Sequence, residues 1–242
     1  HIGRNRGKAG IELVLDHIGR RRRREHRVFI RVGHGDQNSF VIAQRAIGDH
    51  DVQLKDIIAA PTFGQEPLQL GAELEMYITN NDGDVVFCNQ QLIEQVNDSQ
   101  FQPELNQYNI ELNLSPVAQK GEPFSVLRQE IIDKTSHLES IAAAQNISII
   151  PIGILPTLTK EQLNIENMTN VARYHNLAAH LYERRGEAFE ININGKDPLS
   201  IKFDDICAEG ANTSFQVHLM TQPDAFSSVF NAVLPSSDLC RS

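Results

Sequence analysis

The stretch LQLGAELEMY, residues 68–77, alternates apolar and polar side chains and predicts a β-strand that is buried on one side. Its even positions are apolar, whereas its odd positions include Glu73 and Glu75. Side chains two residues apart on a strand lie on the same face of the sheet. The sequence therefore predicts two carboxylates side by side, opposite a buried apolar face.

Two further stretches, residues 107–115 and 211–220, alternate in the same way. Their polar faces contain no lysine or arginine. The polar members are Gln107, Asn109, Glu111, Asn113 and Ser115 in one stretch, and Asn212, Ser214, Gln216 and His218 in the other. Carboxylate, amide and imidazole groups are ligands of divalent cations. Three such faces on one sheet predict a site for divalent ions and phosphates.

A polar face that meets solvent is the alternative interpretation, because many antiparallel sheets are exposed on one side. Two features favour the cation site: exposed strands usually include basic residues, and a Glu-x-Glu pair is costly unless a cation bridges it. Glu104 precedes its strand and Glu111 lies within it, so the chain does not oblige them to converge. For His218 taken alone, a structural histidine is the commoner role.

The rest of the chain mixes hairpins with long helices. Residues 80–83 predict a turn that folds residues 84–88 back on the first strand. Because strands and helices do not alternate strictly as βαβ units, the sequence predicts an α+β fold with a mainly antiparallel sheet and helices on one face. The remaining predicted elements are helices at 52–60, 89–96, 121–145, 168–185 and 223–233, a buried strand at 147–153, and a hairpin of strands 189–193 and 199–203.

Charge and composition divide the chain into a basic start and an acidic body. Residues 1–55 hold twelve Lys or Arg and six Asp or Glu, whereas the remainder holds ten and twenty-five. An acidic body repels nucleic acid, and it needs metal ions as intermediaries if it binds phosphates. We predict an atypical N-terminal segment at 1–51, one folded domain at 52–233 and a tail at 234–242. The arginine run at 20–24 indicates either a segment without stable structure, which is favoured, or a tail for nucleic acid or a membrane surface.

Cysteine usage and hydropathy favour a cytoplasmic protein. Cys88, Cys207 and Cys240 are widely spaced and predict neither a zinc site nor a disulfide framework. The chain has no apolar run of membrane-spanning length, and its first residues do not form a signal-peptide pattern. A hydrophobic content of 40% is enough for a sizeable core.

Several motifs, taken in order, resemble the glutamate-cysteine ligase superfamily. The likeness is greatest to the bacterial proteins of the second glutamate-cysteine ligase type and to their relatives called carboxylate-amine ligases, and it covers about residues 52–232. The motifs are GAELEMY at 71–77, PEL at 103–105 with NIELN at 109–113, GILPTL at 153–158 and NTSFQVHL at 212–219.

The resemblance implies a catalytic domain like that of glutamine synthetase. It implies an ATP-dependent carbon–nitrogen ligase of glutathione biosynthesis, in which ATP phosphorylates the γ-carboxylate of glutamate before cysteine or another amine attacks the acyl phosphate. The cofactors implied are ATP and Mg²⁺ or Mn²⁺, and the partners are small molecules, with no nucleic acid and no membrane. The implied metal ligands are Glu73, Glu75, Glu104, Glu111 and His218, with Ser214 and Gln216 near the nucleotide.

Two further residues are candidates for substrate binding. Arg173 is part of an Arg-Tyr pair that recurs in the family, and a guanidinium fits a carboxylate bidentately. Asn113 lies on the predicted carboxylate face, where its amide can orient phosphate or substrate.

Members of the superfamily are longer, and their C-terminal part supplies further strands and another acidic ligand. The likeness in this chain ends near Ala232, so we expect an incomplete form of the catalytic domain. One alternative is a non-catalytic nucleotide- and metal-binding remnant of that fold. Another is a ligase or phosphotransferase of the same fold with other substrates, because fold does not fix function.

Overall fold

The computed structural model describes residues 10–16, 27–33 and 67–239, with the side chains of residues 67–233. The helices are α1 (Asn89–Val96), α2 (Pro123–Ala143), α3 (Ala172–Arg185) and α4 (Phe226–Leu239), with 3₁₀ turns at Lys160–Gln162 and Ile165–Asn167. The strands are β1 (Gly10–Asp16), β2 (Arg27–Gly33), β3 (Gln69–Asn80), β4 (Phe101–Pro103), β5 (Asn109–Asn113), β6 (Val117–Ala118), β7 (Ile147–Ile150), β8 (Phe189–Ile193), β9 (Leu199–Phe203) and β10 (Phe215–Met220).

The twelve-residue strand β3 is the central strand of the larger sheet. One of its edges pairs first with β10 and then with β7, and the other pairs first with β6 and then with β5. The strand order is β2-β1-β10-β3-β5-β4, and every pairing is antiparallel. Strands β8 and β9 form a separate antiparallel hairpin. The protein is therefore α+β with antiparallel sheets, as the sequence predicts.

The even-numbered side chains of β3 and β5 form the main hydrophobic core with α1 and α2. Ile110 and Leu112 are fully buried there, and Met76 is 1% exposed. Helix α1 contributes Leu92, and α2 contributes Leu138 to the same core. Both helices thus cover the apolar face of the sheet, and the odd-numbered face of β3 and β5 is left for polar side chains.

Helix α3 does not join this core, which departs from the prediction of helices on one face. Tyr174 and Ala178 of α3 pack with Leu105, Met168 and residues near 206 in a second cluster. This cluster lies against the turn that follows β4. Helix α3 therefore packs beside the segment that carries Glu104.

Most predicted elements are confirmed, with shifts at their ends. The helix predicted at 89–96 is α1 with the same bounds, and the one predicted at 121–145 is α2. The hairpin turn is confirmed: the Asn80 side-chain oxygen accepts from the backbone N–H groups of Asp82 and Asp84, and Gly83 has a φ of +85°. Its return segment is shorter than predicted, because only Val85 forms a bridge to β3. The strands predicted at 107–115 and 211–220 shorten to β5 and β10, and the helix predicted at 168–185 begins at Ala172.

The sheet also includes two strands that the sequence did not predict. Strand β1 pairs with β10, and β2 pairs with β1 at the edge. The domain boundary at residue 52 stays a prediction, and both the arginine run at 20–24 and the helix predicted at 52–60 lie outside the described residues. Among the helices that the structure describes, none is long and apolar enough to cross a membrane.

Replacing a core leucine tests this account of the sheet. Leu112→Ala is expected to lower the free energy of unfolding by about 2–5 kcal/mol, because it leaves a cavity between the sheet and the helices. Leu68→Ala is the matched control, since Leu68 is 41% exposed, and it should cost only about 0.5 kcal/mol. Urea unfolding measures both, and equal losses would contradict the assigned core.

Candidate metal centre

Three glutamates converge on the polar face of the sheet. The register between β3 and β5 sets Glu75 directly opposite Glu111. Glu104 follows β4, at the start of the turn that leads back into β5. One carboxylate oxygen from each of Glu75, Glu104 and Glu111 lies within 4.8 Å of the others. Oxygen ligands of one octahedral Mg²⁺ or Mn²⁺ lie at most about 4.2 Å apart, so small side-chain movements would bring these three onto a shared ion.

Burial and like-charge repulsion raise the pKa values of Glu104 and Glu111. Burial, followed by the charges of Glu111 and Glu75, raises the pKa of Glu104 well above its ordinary value. Burial and then the charge of Glu73 raise the pKa of Glu111, although hydrogen bonds from Glu104 and Asn113 oppose that shift. Without a cation, the pair therefore binds a proton more tightly than two separate glutamates would. A divalent cation would take the place of that proton.

Neighbouring amides hold two of the carboxylates in place. The backbone N–H of Ser214 donates to Glu75 Oε2 at 2.8 Å, and Gln216 Nε2 donates to Glu75 Oε1 at 2.9 Å. The side-chain amide of Asn113 donates to Glu111 Oε1. Because their orientations are fixed before a ligand binds, these carboxylates are preorganised for coordination.

Glu73 and His218 form a pair beside the three glutamates. His218 Nε2 lies 3.5 Å from a carboxylate oxygen of Glu73, and the two side chains are only 5% and 12% exposed. Glu73 lies on the same strand face as Glu75, and its charge acts on Glu111. The pair therefore borders the cluster and extends the line of ionisable groups along the sheet.

A fully buried amide beside the cluster fits a cation site. Asn109 is 0% exposed, and neither atom of its side-chain amide has a hydrogen-bond partner among the described residues. It lies opposite Tyr77 on β3 and shares its strand face with Glu111. Buried polar groups without a partner are rare in proteins. An aquated cation on this face would give Asn109 a water to bind, so the oxygen-rich donor set and the amide together fit Mg²⁺ or Mn²⁺.

Arg173 lies at the border of the cluster, on α3. Its Nη2 donates to the hydroxyl of Tyr174 at 2.6 Å, and its guanidinium carbon lies 4.6 Å from the centroid of that ring. The Tyr174 hydroxyl in turn donates to the carbonyl of Pro103, the residue before Glu104. Arg173 is an exposed residue, and its guanidinium is thus held on the surface near the segment that carries Glu104.

The predicted site residues do not all meet at one point in the structure. Glu75, Glu104 and Glu111 meet in one cluster, whereas Glu73 and His218 contact each other beside it. Ser214 and Gln216 contact Glu75, and Asn113 contacts Glu111. Asn109 lies on the predicted polar face of residues 107–115, but its burial without a hydrogen-bond partner is a tertiary feature that the alternating pattern does not indicate.

Comparison of the chain with protein-family models, with curated proteins and with solved structures finds no match to any of them.

The raised pKa values predict how stability depends on pH. Groups whose pKa is higher in the folded than in the unfolded chain stabilise fully below the unfolded value of about 4.3, and lose that effect as pH rises through the folded value. In EDTA, the free energy of unfolding should therefore fall as pH rises above 5, with a slope of at most about 1.4 kcal/mol per pH unit for each proton. Urea unfolding between pH 5 and 8 measures this slope.

Glu104→Gln should reduce that slope and raise stability at pH 8, because the amide is neutral at every pH. Glu94→Gln is the matched control, since Glu94 is an exposed glutamate on α1, and it should leave the slope unchanged. A slope that is the same in all three proteins would show that the carboxylates are not coupled as described.

Proposed function

We propose that the chain is a carboxylate-amine ligase that binds a divalent cation at Glu75, Glu104 and Glu111 and uses ATP to form a γ-glutamyl amide. The observation that carries the proposal is the convergence of three half-buried carboxylates within 4.8 Å on an antiparallel sheet. The proposal includes a fold like the catalytic domain of glutamine synthetase. The resemblance of its motifs to the glutamate-cysteine ligase superfamily supports the choice of reaction.

The negative charge of the protein explains why phosphate transfer from ATP to a carboxylate would require cations. Joining a phosphate of ATP to a carboxylate brings two anions together in an acidic protein, which opposes their approach. Mg²⁺ or Mn²⁺ at the three carboxylates would neutralise that charge and orient the phosphate. The residues of this chain hold the cation ligands: Ser214 and Gln216 fix Glu75, and Asn113 fixes Glu111.

Arg173 is proposed to bind the carboxylate of a substrate. Its guanidinium is held against the ring of Tyr174, next to the carbonyl of Pro103. A cation at this border would attract a small anionic substrate such as glutamate without entering the carboxylate cluster. The amine acceptor, cysteine or another amine, would then approach from the open polar face.

A second candidate function is a non-catalytic nucleotide- and metal-binding module. It requires the same three carboxylates but no turnover. Phosphate release separates the two functions, because a binding module holds ATP and the cation without hydrolysing ATP.

The test uses the full-length chain with ATP, Mn²⁺, glutamate and either cysteine or another amine. We expect phosphate release that requires Mn²⁺ and that increases when both glutamate and an amine are present. Even residues that only orient a metal ligand contribute about 10- to 100-fold to metal affinity. Glu75→Gln, which removes a ligand charge, should weaken Mn²⁺-dependent ATP binding by at least that much, as measured by equilibrium dialysis.

Glu94→Gln is the control for the loss of one carboxylate elsewhere, and it should bind as the unaltered chain does. ATP binding without phosphate release under any combination of substrates would favour the binding module. Unchanged ATP affinity in Glu75→Gln at fixed Mn²⁺ would contradict the site itself.

A further inference from the structure

A buried asparagine connects helix α1 to the turn that carries Glu104. Asn89 is the first residue of α1 and is 1% exposed. Its Nδ2 lies 3.2 Å from the carbonyl oxygen of Asn106, 3.0 Å from that of Asn109 and 2.8 Å from Thr169 Oγ1. Two N–H groups therefore serve three acceptors in a dry interior, where such hydrogen bonds are strong. The middle of the turn and the first residue of β5 are thus tied to α1 through one side chain.

Thr169 completes the connection to Glu104 itself. It is 0% exposed, and its hydroxyl accepts from Asn89 and donates to the carbonyl oxygen of Glu104. Its backbone N–H donates to the carbonyl of Leu105 at 2.8 Å. A continuous series of hydrogen bonds thus runs from Asn89 through Thr169 to Glu104.

The geometry of this turn determines whether Glu104 reaches Glu111. Residues 104–108 join β4 to β5, and the Asn109 N–H donates to the Asn106 carbonyl at 3.0 Å. The Asn106 side chain also donates to the carbonyl of Cys207. The turn is therefore hydrogen-bonded both to the first residue of β5 and to the segment at Cys207. A change in its conformation would move Glu104 while Glu111 stays fixed within β5.

We propose that Asn89 and Thr169 are positioning residues that hold Glu104 in the cation site. The inference rests on the proposed function, because it assigns a role in cation binding at the same three carboxylates. Neither side chain belongs to the cluster of carboxylates: they act on the backbone of Glu104, and Glu104 acts on the cation. Their loss would separate Glu104 from the other two ligands without removing any ligand.

The chain provides a matched control for a buried threonine. Thr79 on β3 is also 0% exposed, and its hydroxyl also donates to a backbone carbonyl, that of Ser148. Thr79 lies opposite β7 and has no hydrogen bond to the Glu104 turn among those of the described residues. Thr169→Val and Thr79→Val therefore remove the same group from equally buried sites, and only Thr169→Val breaks the series that ends at Glu104.

The experiment measures Mn²⁺ binding to the full-length chain by the EPR signal of the free ion. Thr169→Val is expected to weaken Mn²⁺ binding about tenfold, as the loss of an outer-shell partner does. Thr169→Ser retains the hydroxyl and should bind Mn²⁺ as the unaltered chain does. Thr79→Val should also leave the affinity unchanged. Equal affinity in Thr169→Val and the unaltered chain would overturn the proposal, as would equal weakening by Thr79→Val.

A double variant tests whether Thr169 acts through Glu104. In a Glu104→Gln background, Thr169→Val should cause no further loss of Mn²⁺ affinity, because the ligand that it positions is already altered. A further tenfold loss in that background would contradict a role through Glu104.

Hydrogen exchange in EDTA separates failure of this inference from failure of the proposed function. Thr169→Val should speed exchange of the amides of residues 105–109, whereas Thr79→Val should not. If the unaltered chain binds no Mn²⁺, the proposed function fails, and the exchange result alone decides whether Thr169 holds the turn. If exchange there is unchanged by Thr169→Val, the positioning role is wrong whatever the chain binds.

Discussion

Like-charge repulsion within a cluster of three glutamates, of which Glu75 and Glu111 lie directly opposite each other, is the constraint on which the candidate site depends. Strands β3 and β5 can pair in this register only if these two side chains face each other. The register itself is set by the apolar face, because a shift by one residue would expose Met76, Ile110 and Leu112. The core therefore fixes the carboxylates in an unfavourable arrangement. A proton bound within the cluster, or a cation, would relieve the repulsion.

The surrounding hydrogen bonds hold the three carboxylates close together and do not let them move apart. Amides from β5 and β10 hold Glu111 and Glu75, and a hydrogen-bonded turn brings Glu104 to them. Glu73 and His218 add two more ionisable groups at the border. Sites that conflict with ordinary folding preferences are expected where a protein binds ligands or performs chemistry. The cluster has this character, and its chemistry is suited to hard divalent cations.

The spacing of apolar residues along the chain predicted much of the fold, because it indicates which face of each strand or helix is buried. The alternation in residues 68–77 predicted β3 and its two faces, and the helical spacing of apolar residues at 124–141 predicted α2. Convergence of the glutamates depends on tertiary structure: Glu104 reaches the site through a turn whose shape is set by Asn89, Thr169 and Cys207, far apart in the chain. Helix α3 illustrates the same limit, because its amphipathic pattern does not specify whether it packs on the sheet or on the Glu104 turn. Strand β4 is only three residues long, which is too short for a periodic signal.

The most direct measurement is the anomalous scattering of Mn²⁺ in crystals of the full-length chain grown with MnCl₂. The account predicts a peak about 2.1 Å from one carboxylate oxygen each of Glu75, Glu104 and Glu111. A map in which the three carboxylates remain in contact but Mn²⁺ is absent, or bound only elsewhere, would contradict it.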